Sequence, residues 1–154
     1  MIAELKEELK QNKPFSSLQQ EAQLNIQRTA NLLGDDFEQV LKPYGITGTQ
    51  YNVLRILRGA EPNGLCRNEV RERLINRMPD ATRLLDRMEN AGLVTRSREA
   101  EDRRMVTTRI TTDGRKLVDD LDDVVMQQHQ RQLGHLSHEE LEILVRLLTK
   151  ARNP

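Results

Sequence analysis

The sequence predicts a mainly α-helical fold with one small β-hairpin. Apolar residues recur at helical spacing through most of the 154-residue chain, and strand-like alternation replaces that spacing only within residues 93–110. Hydrophobic residues make up 36% and charged residues 31%, a balance typical of long helices with exposed faces. We therefore predict four helices, a two-stranded hairpin and two further helices, in that order.

Two helices are predicted in the first part of the chain. A short amphipathic helix is expected over residues 2–12, and Pro14 interrupts it. Ser16 and Ser17 are N-cap candidates, because each has a glutamine three residues further on, as a capping box requires. The long amphipathic helix that they begin ends at Pro43.

Three helices of the central region are predicted next. Thr47 opens a very apolar one, which the Gly- and Pro-containing segment 59–64 ends. Another is expected over residues 66–75. The last has Pro79 in its first turn, where the missing N–H costs nothing, and Gly92 as its C-terminal stop.

The hairpin and the C-terminal helices complete the prediction. Residues 93–98 and 105–110 are expected to be extended, with a polar loop between them. Thr111 or Thr112 is expected to cap the fifth helix, and Ser137 the sixth. A two-stranded hairpin is marginally stable alone, so it must pack on the preceding helices.

A net charge of zero conceals an uneven distribution of charge. Residues 1–54 and residues 116–154 each carry 5 basic and 7 acidic side chains. Residues 55–115 carry 14 basic and 10 acidic side chains, and all 14 basic ones are arginine. Arginine suits phosphate and base-edge contacts because its guanidinium is planar and permanently charged. The bias indicates either a nucleic-acid interface or a salt-bridged surface.

Several classes of protein are excluded by the composition. A single cysteine rules out an intramolecular disulfide framework. No stretch approaches the ~20 apolar residues of a membrane span, and the charged N-terminus has no signal-peptide core, so we expect a soluble, cytoplasmic protein. We find no Ser–His–Asp spacing and no phosphate-binding glycine loop, so neither an enzyme nor a cofactor is expected.

The two short helices before the hairpin predict a helix-turn-helix, with the hairpin as its wing. Asp80 can accept a hydrogen bond from cytosine N4, and the methyl groups of Ala81 and Thr82 can touch a thymine methyl. Arg83 and Arg87 lie four residues apart, so they share a helix face that can meet guanine edges or phosphates. The alternative is ordinary capping by the aspartate and surface ion pairs by the arginines.

The wing loop carries a second group of candidate contacts. Asp102 and Arg104 are two residues apart, so the carboxylate can hold the arginine in one rotamer for insertion into a narrow minor groove. Arg96, Arg98 and Arg103 are then expected near phosphates. The alternative is a surface turn with a weak ion pair.

The segment TRLLDRMENAGLVTR at residues 82–96 resembles the recognition-helix-to-wing segment of MarR-family transcriptional regulators. The wing residues DRR at 102–104 and the ITTDG at 110–114 resemble the same family, and residues 45–54 match its second helix. The resemblance covers nearly the whole chain in element order. This sequence departs from the family at Pro79 and Asp80, where family members often have Ser or Thr. The role of Asp80 can therefore be either base selection or helix capping.

This resemblance implies a winged helix-turn-helix homodimer. Residues 46–111 are expected to form the DNA-binding region, and residues 1–45 and 112–154 a helical dimerisation region in which the ends of both chains interlock. The family also implies that Arg104 enters the minor groove and that the helix starting near Asp80 enters the major groove. The resemblance also places Arg98 and Arg103 near the DNA backbone and adds Arg77 there.

Regulation by a small ligand or by an oxidant is left open by the sequence. Cys66 lies at a predicted helix start next to an arginine, and both features favour a reactive thiolate. The alternative is that Cys66 is only a small residue near the helix N-cap. Phe37, Tyr44 and Tyr51 are the aromatic candidates for a ligand pocket, with ordinary core positions as the alternative. No metal is expected, because the histidines do not have a zinc-ligand spacing: His129, His135 and His138.

Taken together, these features predict a double-stranded-DNA-binding transcriptional regulator. We expect a repressor that acts as a homodimer on a pseudo-palindromic operator. The alternative is a helical adaptor that uses the winged fold to bind protein. Salt-sensitive binding to duplex DNA discriminates between them, because phosphate contacts release counterions.

Overall fold

The computed structural model describes residues 4–153. Within that range the chain is mainly helical with one small antiparallel sheet, so the predicted fold class is confirmed. The elements are α1 (Leu5–Glu8), α2 (Leu18–Leu41), α3 (Gly48–Gly59), β1 (Leu65–Cys66), α4 (Arg67–Arg73), α5 (Thr82–Asn90), β2 (Val94–Arg98), β3 (Val106–Ile110), α6 (Thr112–Leu133) and α7 (His138–Arg152). None of the helices in this range has the length and hydropathy of a membrane-spanning segment.

The sheet has three strands in the order β1-β3-β2, so the predicted two-stranded hairpin was incomplete. The additional strand, β1, pairs Leu65 with Thr108 of β3. Gly64 precedes it with φ +74°, and a Cβ there would lie 2.5 Å from the Thr108 carbonyl oxygen. A two-residue strand has no alternation to detect, and only the pairing with a distant strand defines it.

Two predicted helix boundaries were also wrong. The helix expected from Pro79 begins at Thr82, because the Asp80 Oδ1 accepts hydrogen bonds from the Thr82 N–H (3.1 Å) and hydroxyl (2.8 Å) outside the helix. The helix expected over residues 2–12 is limited to α1 (Leu5–Glu8), and residues 2 and 3 of that prediction lie outside the described range.

One continuous hydrophobic core joins the helix-turn-helix to the sheet and to α6. Its fully buried side chains come from α2, α3, α4, α5, β2 and α6: Leu41, Val53, Leu54, Leu57, Val70, Leu85, Met88, Val94, Val118 and Leu121. Because α5 buries only one stripe of side chains, its opposite face is exposed while its position is fixed by packing.

The C-terminal helix α7 is an exception to this packing. None of its 15 residues is buried in the chain, although several are apolar. Val145 is 64% exposed and Leu147 is 54% exposed. Leu18 and Leu32 of α2 are exposed as well. The two ends of the chain therefore present apolar helix faces that the described part of the chain leaves uncovered.

An ion-pair cluster ties α3 to α6. The Arg58 guanidinium donates to Asp119 Oδ1 (2.6 Å) and binds both carboxylate oxygens of Asp122 (2.9 Å each). The hydrogen bond from Arg58 is the main cause that lowers the pKa of Asp122 below its ordinary value. The same pair raises the pKa of Arg58, so the arginine stays charged at every relevant pH.

Asp122→Asn is expected to lower the free energy of unfolding by about 0.5–1 kcal/mol at pH 7, since the pair is partly exposed and screened by solvent. Because the folded pKa of Asp122 is depressed, its contribution is present above the unfolded pKa of about 4 and disappears as pH falls through the folded pKa. Urea unfolding at pH 7 and at pH 3, at one protomer concentration, measures this difference.

The matched control is Asp123→Asn, which removes the same charge from an exposed neighbour that has no ion pair within residues 4–153. A loss of stability by Asp122→Asn that is equal at both pH values, or that Asp123→Asn reproduces, would contradict a role for the Arg58 pair.

Candidate nucleic-acid interface

The turn between α4 and α5 is held by hydrogen bonds from both neighbouring helices. The Asn52 side chain of α3 accepts from the Ile75 N–H (2.9 Å). The Arg71 guanidinium of α4 donates to the Pro79 carbonyl (3.0 Å). These bonds fix the chain that leads into α5, and with it the orientation of the exposed α5 face.

The start of α5 differs in one respect from the sequence prediction. Ala81 is 0% exposed, so the predicted contact of its methyl group with a base does not fit this structure. Thr82 is half-buried, and Asp80, Arg83 and Arg87 are exposed. The predicted polar start of the helix therefore presents four side chains to solvent rather than five.

The Arg96 guanidinium forms ion pairs with two carboxylates of α5. Its Nη2 donates to Asp86 Oδ1 (2.6 Å) and to Glu89 Oε1 (3.0 Å), and its N–H donates to Glu89 Oε2 (3.0 Å). The hydrogen bond from Arg96 also lowers the pKa of Glu89. With its charge matched and its side chain only 23% exposed, Arg96 links β2 to α5.

Asp86 is therefore not the partner of Arg83 or Arg87, and the surface pairs considered as the alternative do not form. Within residues 4–153 neither arginine has an ion pair at salt-bridge distance, whereas Asp86 is paired with Arg96. Both guanidinium groups remain available on the exposed face of α5.

The wing loop is ordered by main-chain contacts. Asp102 Oδ1 accepts from the Arg104 N–H (2.9 Å), and the Asp102 carbonyl accepts from the Met105 N–H (3.0 Å). The prediction that Asp102 holds the Arg104 guanidinium is corrected, because its carboxylate binds the Arg104 main chain. Arg98 supports the tip by donating to the Arg103 carbonyl (3.2 Å).

Arg109 braces the other side of the wing, and the sequence did not single it out. Its guanidinium donates to the Ser97 hydroxyl (3.0 Å), to Glu99 Oε1 (3.1 Å) and to the Pro62 carbonyl (3.4 Å). Three partners that are distant in sequence converge on it, so only the folded chain reveals its position.

A groove of about 370 Å³ separates α5 from the wing. Its walls bring together Thr82 at the start of α5, Arg104 at the wing tip, and Cys66 and Arg67 at the start of α4. The turn, α5 and the wing also carry exposed arginines that do not line this groove: Arg77, Arg83, Arg87, Arg98 and Arg103. The groove therefore brings the polar start of α5 together with two arginines from other elements, Arg67 and Arg104.

Cys66 is the N-cap residue of α4, where the sequence placed it. Its N–H donates to Glu69 Oε2 (2.8 Å). Hydrogen bonds from the main chain and side chain of Cys66 lower the pKa of Glu69. The half-buried thiol therefore lies beside an ionised carboxylate at the edge of the groove.

Of the three aromatic candidates, Phe37 and Tyr51 pack against each other, whereas Tyr44 is exposed. Phe37 meets Tyr51 edge to face (centroids 5.7 Å apart) and stacks on His129 (6.1 Å). Tyr51 is buried, which raises its pKa. Tyr51 and His129 line a cavity of about 510 Å³ between α3 and α6, together with Arg55. Tyr44 is exposed and does not line this cavity.

The other histidines do not form a metal site. His138 lies 3.3 Å from Glu142 on an exposed face of α7. Throughout the described range, no group of three or more His, Cys, Asp or Glu side chains could hold a metal ion.

Comparisons with known proteins find transcriptional regulators among the proteins similar to this chain. A family model described as "Transcriptional regulator SarA/Rot" matches residues 36–121, more than half of the chain. The transcriptional regulator HosA of Escherichia coli O157:H7 is 30% identical over 142 residues, which span 92% of this chain and 96% of HosA.

Solved structures show the same fold. A MarR transcription factor from Planctomyces limnophilus is 42% identical, with a TM-score of 0.68 over 88% of this chain and 98% of that one. A mutant MarR from Escherichia coli, complexed with operator DNA, is 27% identical, with a TM-score of 0.78 over 90% and 100% of the two chains.

Proposed function

The chain belongs to the MarR family of winged helix-turn-helix transcriptional regulators, and we propose that this DNA-binding regulator acts as a homodimeric repressor on a pseudo-palindromic operator. The observation that carries the proposal is the groove between α5 and the wing, where Thr82, Arg67 and Arg104 line one cavity. In a winged helix-turn-helix, α5 occupies the major groove and the wing tip reaches the minor groove.

The homodimer is supported by the uncovered helix faces at the chain ends. In α7, Leu144 and Leu147 are three residues apart on one face, and both are exposed. Apolar helix faces of this size are seldom left in water, and a second copy offers the matching surface. A two-fold dimer then requires half-sites about 10 bp apart, centre to centre.

Repression follows from the simplest use of such a dimer. Occupying an operator that overlaps a promoter blocks transcription by exclusion, with no further contact required. Activation would need a surface that recruits polymerase. Four exposed apolar side chains lie close together in α7, where the proposed dimer covers them: Ile143, Leu144, Val145 and Leu147.

The decisive test is selection of bound duplexes from random double-stranded DNA, followed by affinity measurements at several salt concentrations. We expect an inverted repeat, and an affinity that falls steeply with salt because arginine–phosphate contacts release counterions. Binding without sequence preference and without salt dependence would refute the proposal and favour a protein-binding adaptor.

We further propose that the cavity between α3 and α6 takes a small aromatic acid that releases the DNA. Arg55 supplies the cation, Tyr51 and His129 supply flat polar surfaces, and the Arg58 cluster at its edge joins the helix-turn-helix to α6. A ligand that alters this junction changes the distance between the two α5 helices of a dimer. Oxidation at Cys66 is the alternative signal.

Arg55→Gln is expected to raise the benzoate concentration needed to release operator DNA by about ten-fold, because a charge-assisted bond to the carboxylate is lost. Fluorescence anisotropy of labelled operator titrated with benzoate measures this value. Tyr44→Phe, outside the cavity, is the control. Equal sensitivity of wild type and Arg55→Gln would exclude this anion site, and release by peroxide alone would favour Cys66.

A further inference from the structure

Arg67 connects the first helix of the helix-turn-helix to the start of the second. It is the first residue of α4, and its Nη1 donates to the Thr82 hydroxyl at 3.0 Å. Its Nε lies 3.8 Å from Asp80 Oδ1. The side chain is 56% exposed and lines the groove between α5 and the wing. The arginine therefore lies on the face of the molecule that the proposed function turns toward DNA.

Asp80 is the acceptor at the end of this chain of contacts. Its Oδ1 receives the Thr82 N–H (3.1 Å) and the Thr82 hydroxyl (2.8 Å), while Oδ2 takes part in neither bond. The two bonds from Thr82 are the main causes that lower the pKa of Asp80, so the group is an ionised acceptor without a proton to donate. Its side chain is 59% exposed.

A carboxylate at this position is costly near DNA unless a cation accompanies it. Phosphates repel it, and capping alone could be provided by Ser or Thr without that repulsion. Arg67 offsets the charge of Asp80 and also fixes the hydroxyl that orients it. The arrangement keeps an anionic acceptor at the front of α5 with a cation beside it.

An ionised carboxylate discriminates among the base edges of the major groove. Cytosine offers the N4 amino group as a donor, whereas guanine presents two acceptors, N7 and O6. Adenine offers a donor at N6, but its N7 acceptor lies beside it and repels a second carboxylate oxygen. Thymine offers an acceptor and a methyl group. Cytosine is therefore the base that this acceptor favours.

We propose that Asp80 is a specificity-determining residue that selects a cytosine in each half-site, and that Arg67 is the positioning residue that holds it at the base edge. This inference rests on the proposed function, since it requires α5 in the major groove. It assigns Arg67 a role in recognition and resolves the choice between capping and base selection at Asp80.

The experiment is duplex selection from random DNA with wild type, Asp80→Ala, Asp80→Asn, Arg67→Met and Arg67→Lys, followed by affinities for operators changed at the selected position. Wild type is expected to prefer cytosine at one position of each half-site by about ten-fold. Asp80→Ala is expected to lose that preference. Asp80→Asn is expected to shift it to adenine, because an amide pairs with both adenine N6 and N7.

The Arg67 variants test the positioning role. Arg67→Met is expected to weaken the preference at the same position, with little further effect in the Asp80→Ala background, because the two residues act as one unit. Arg67→Lys is expected to restore part of it, since a cation remains beside the carboxylate. A pure capping role would lower affinity equally for all four bases.

The outcomes separate this inference from the proposed function. If wild type selects an inverted repeat, but Asp80→Ala and Asp80→Asn keep its base preferences, the specificity role is overturned and the regulator stands. Additive effects of Arg67→Met and Asp80→Ala overturn the positioning role of Arg67. If wild type selects no duplex at all, the proposed function fails and the inference fails with it.

Discussion

Arg104→Ala is expected to weaken operator binding by about 10- to 100-fold while leaving the dimer intact. A guanidinium inserted into a narrow minor groove gains from the enhanced negative potential there, and loss of such a contact costs roughly 1–3 kcal/mol. The same variant should reduce the slope of log affinity against log salt by about 1, because one cation leaves the interface. Anisotropy titrations over a range of salt concentrations measure both quantities.

The structure explains why Arg104 should matter more than Arg96 and Arg98. Its main chain is fixed by Asp102, and its guanidinium has no salt-bridge partner within the described range. Arg96, by contrast, is matched by two carboxylates of α5, and Arg98 supports the Arg103 carbonyl. Of these wing arginines, Arg104 therefore combines a restrained backbone with an available charge, which lowers the entropy lost on binding.

Arg146→Ala is the control, because it removes the same charge from the exposed surface of α7, far from the wing in the chain. It should change neither affinity nor salt slope beyond experimental error. An Arg104→Ala protein that binds operator as tightly as wild type would remove the minor-groove role. A protein that no longer dimerises would show that the substitution acts through the fold instead.

The features predicted correctly from sequence are those decided by local chemistry. The capping boxes at Thr47 and Ser137 are both present. Thr111, one of the two candidates offered by the sequence, caps α6. Gly92 follows α5 with φ +74°, as a C-terminal stop requires. In each case the deciding contact spans three or four residues, so the sequence contains both partners.

The features that sequence could not reveal depend on contacts between distant residues. β1 is a strand because Leu65 pairs with Thr108, 43 positions away in the sequence. Ala81 is buried in the folded chain, although Pro79 and Asp80 just before it are exposed. Arg67 reaches Thr82 across the turn, and Arg96 is neutralised by α5. A charged residue in a sequence has no defined partner until the fold brings one to it.

Replacing both Leu144 and Leu147 by aspartate is expected to dissociate the dimer. These side chains are exposed in the single chain, so the substitutions should leave the core and the fold of the protomer unchanged. In the proposed dimer they become buried, and an unpaired buried carboxylate costs several kcal/mol. The dissociation constant should rise by more than about 100-fold, as measured by sedimentation equilibrium.

Thr149→Asp is the control, since it adds one negative charge to an exposed position on the polar side of the same helix. It should remain dimeric. A double-aspartate variant that sediments as a dimer would place the interface elsewhere, and one that loses its helical circular dichroism would show that α7 also stabilises the protomer.

Dissociation should weaken operator binding far more than loss of a single arginine contact does. In the dimer, binding of one half-site holds the second α5 helix at a high effective concentration over the other half-site, and a monomer has no such advantage. The double-aspartate protomer should therefore bind a single half-site about as well as wild type does, while its affinity for the inverted repeat falls to that same level. Equal affinity of this variant and wild type for the full operator would mean that each protomer reads DNA independently, and the uncovered face of α7 would then require another partner.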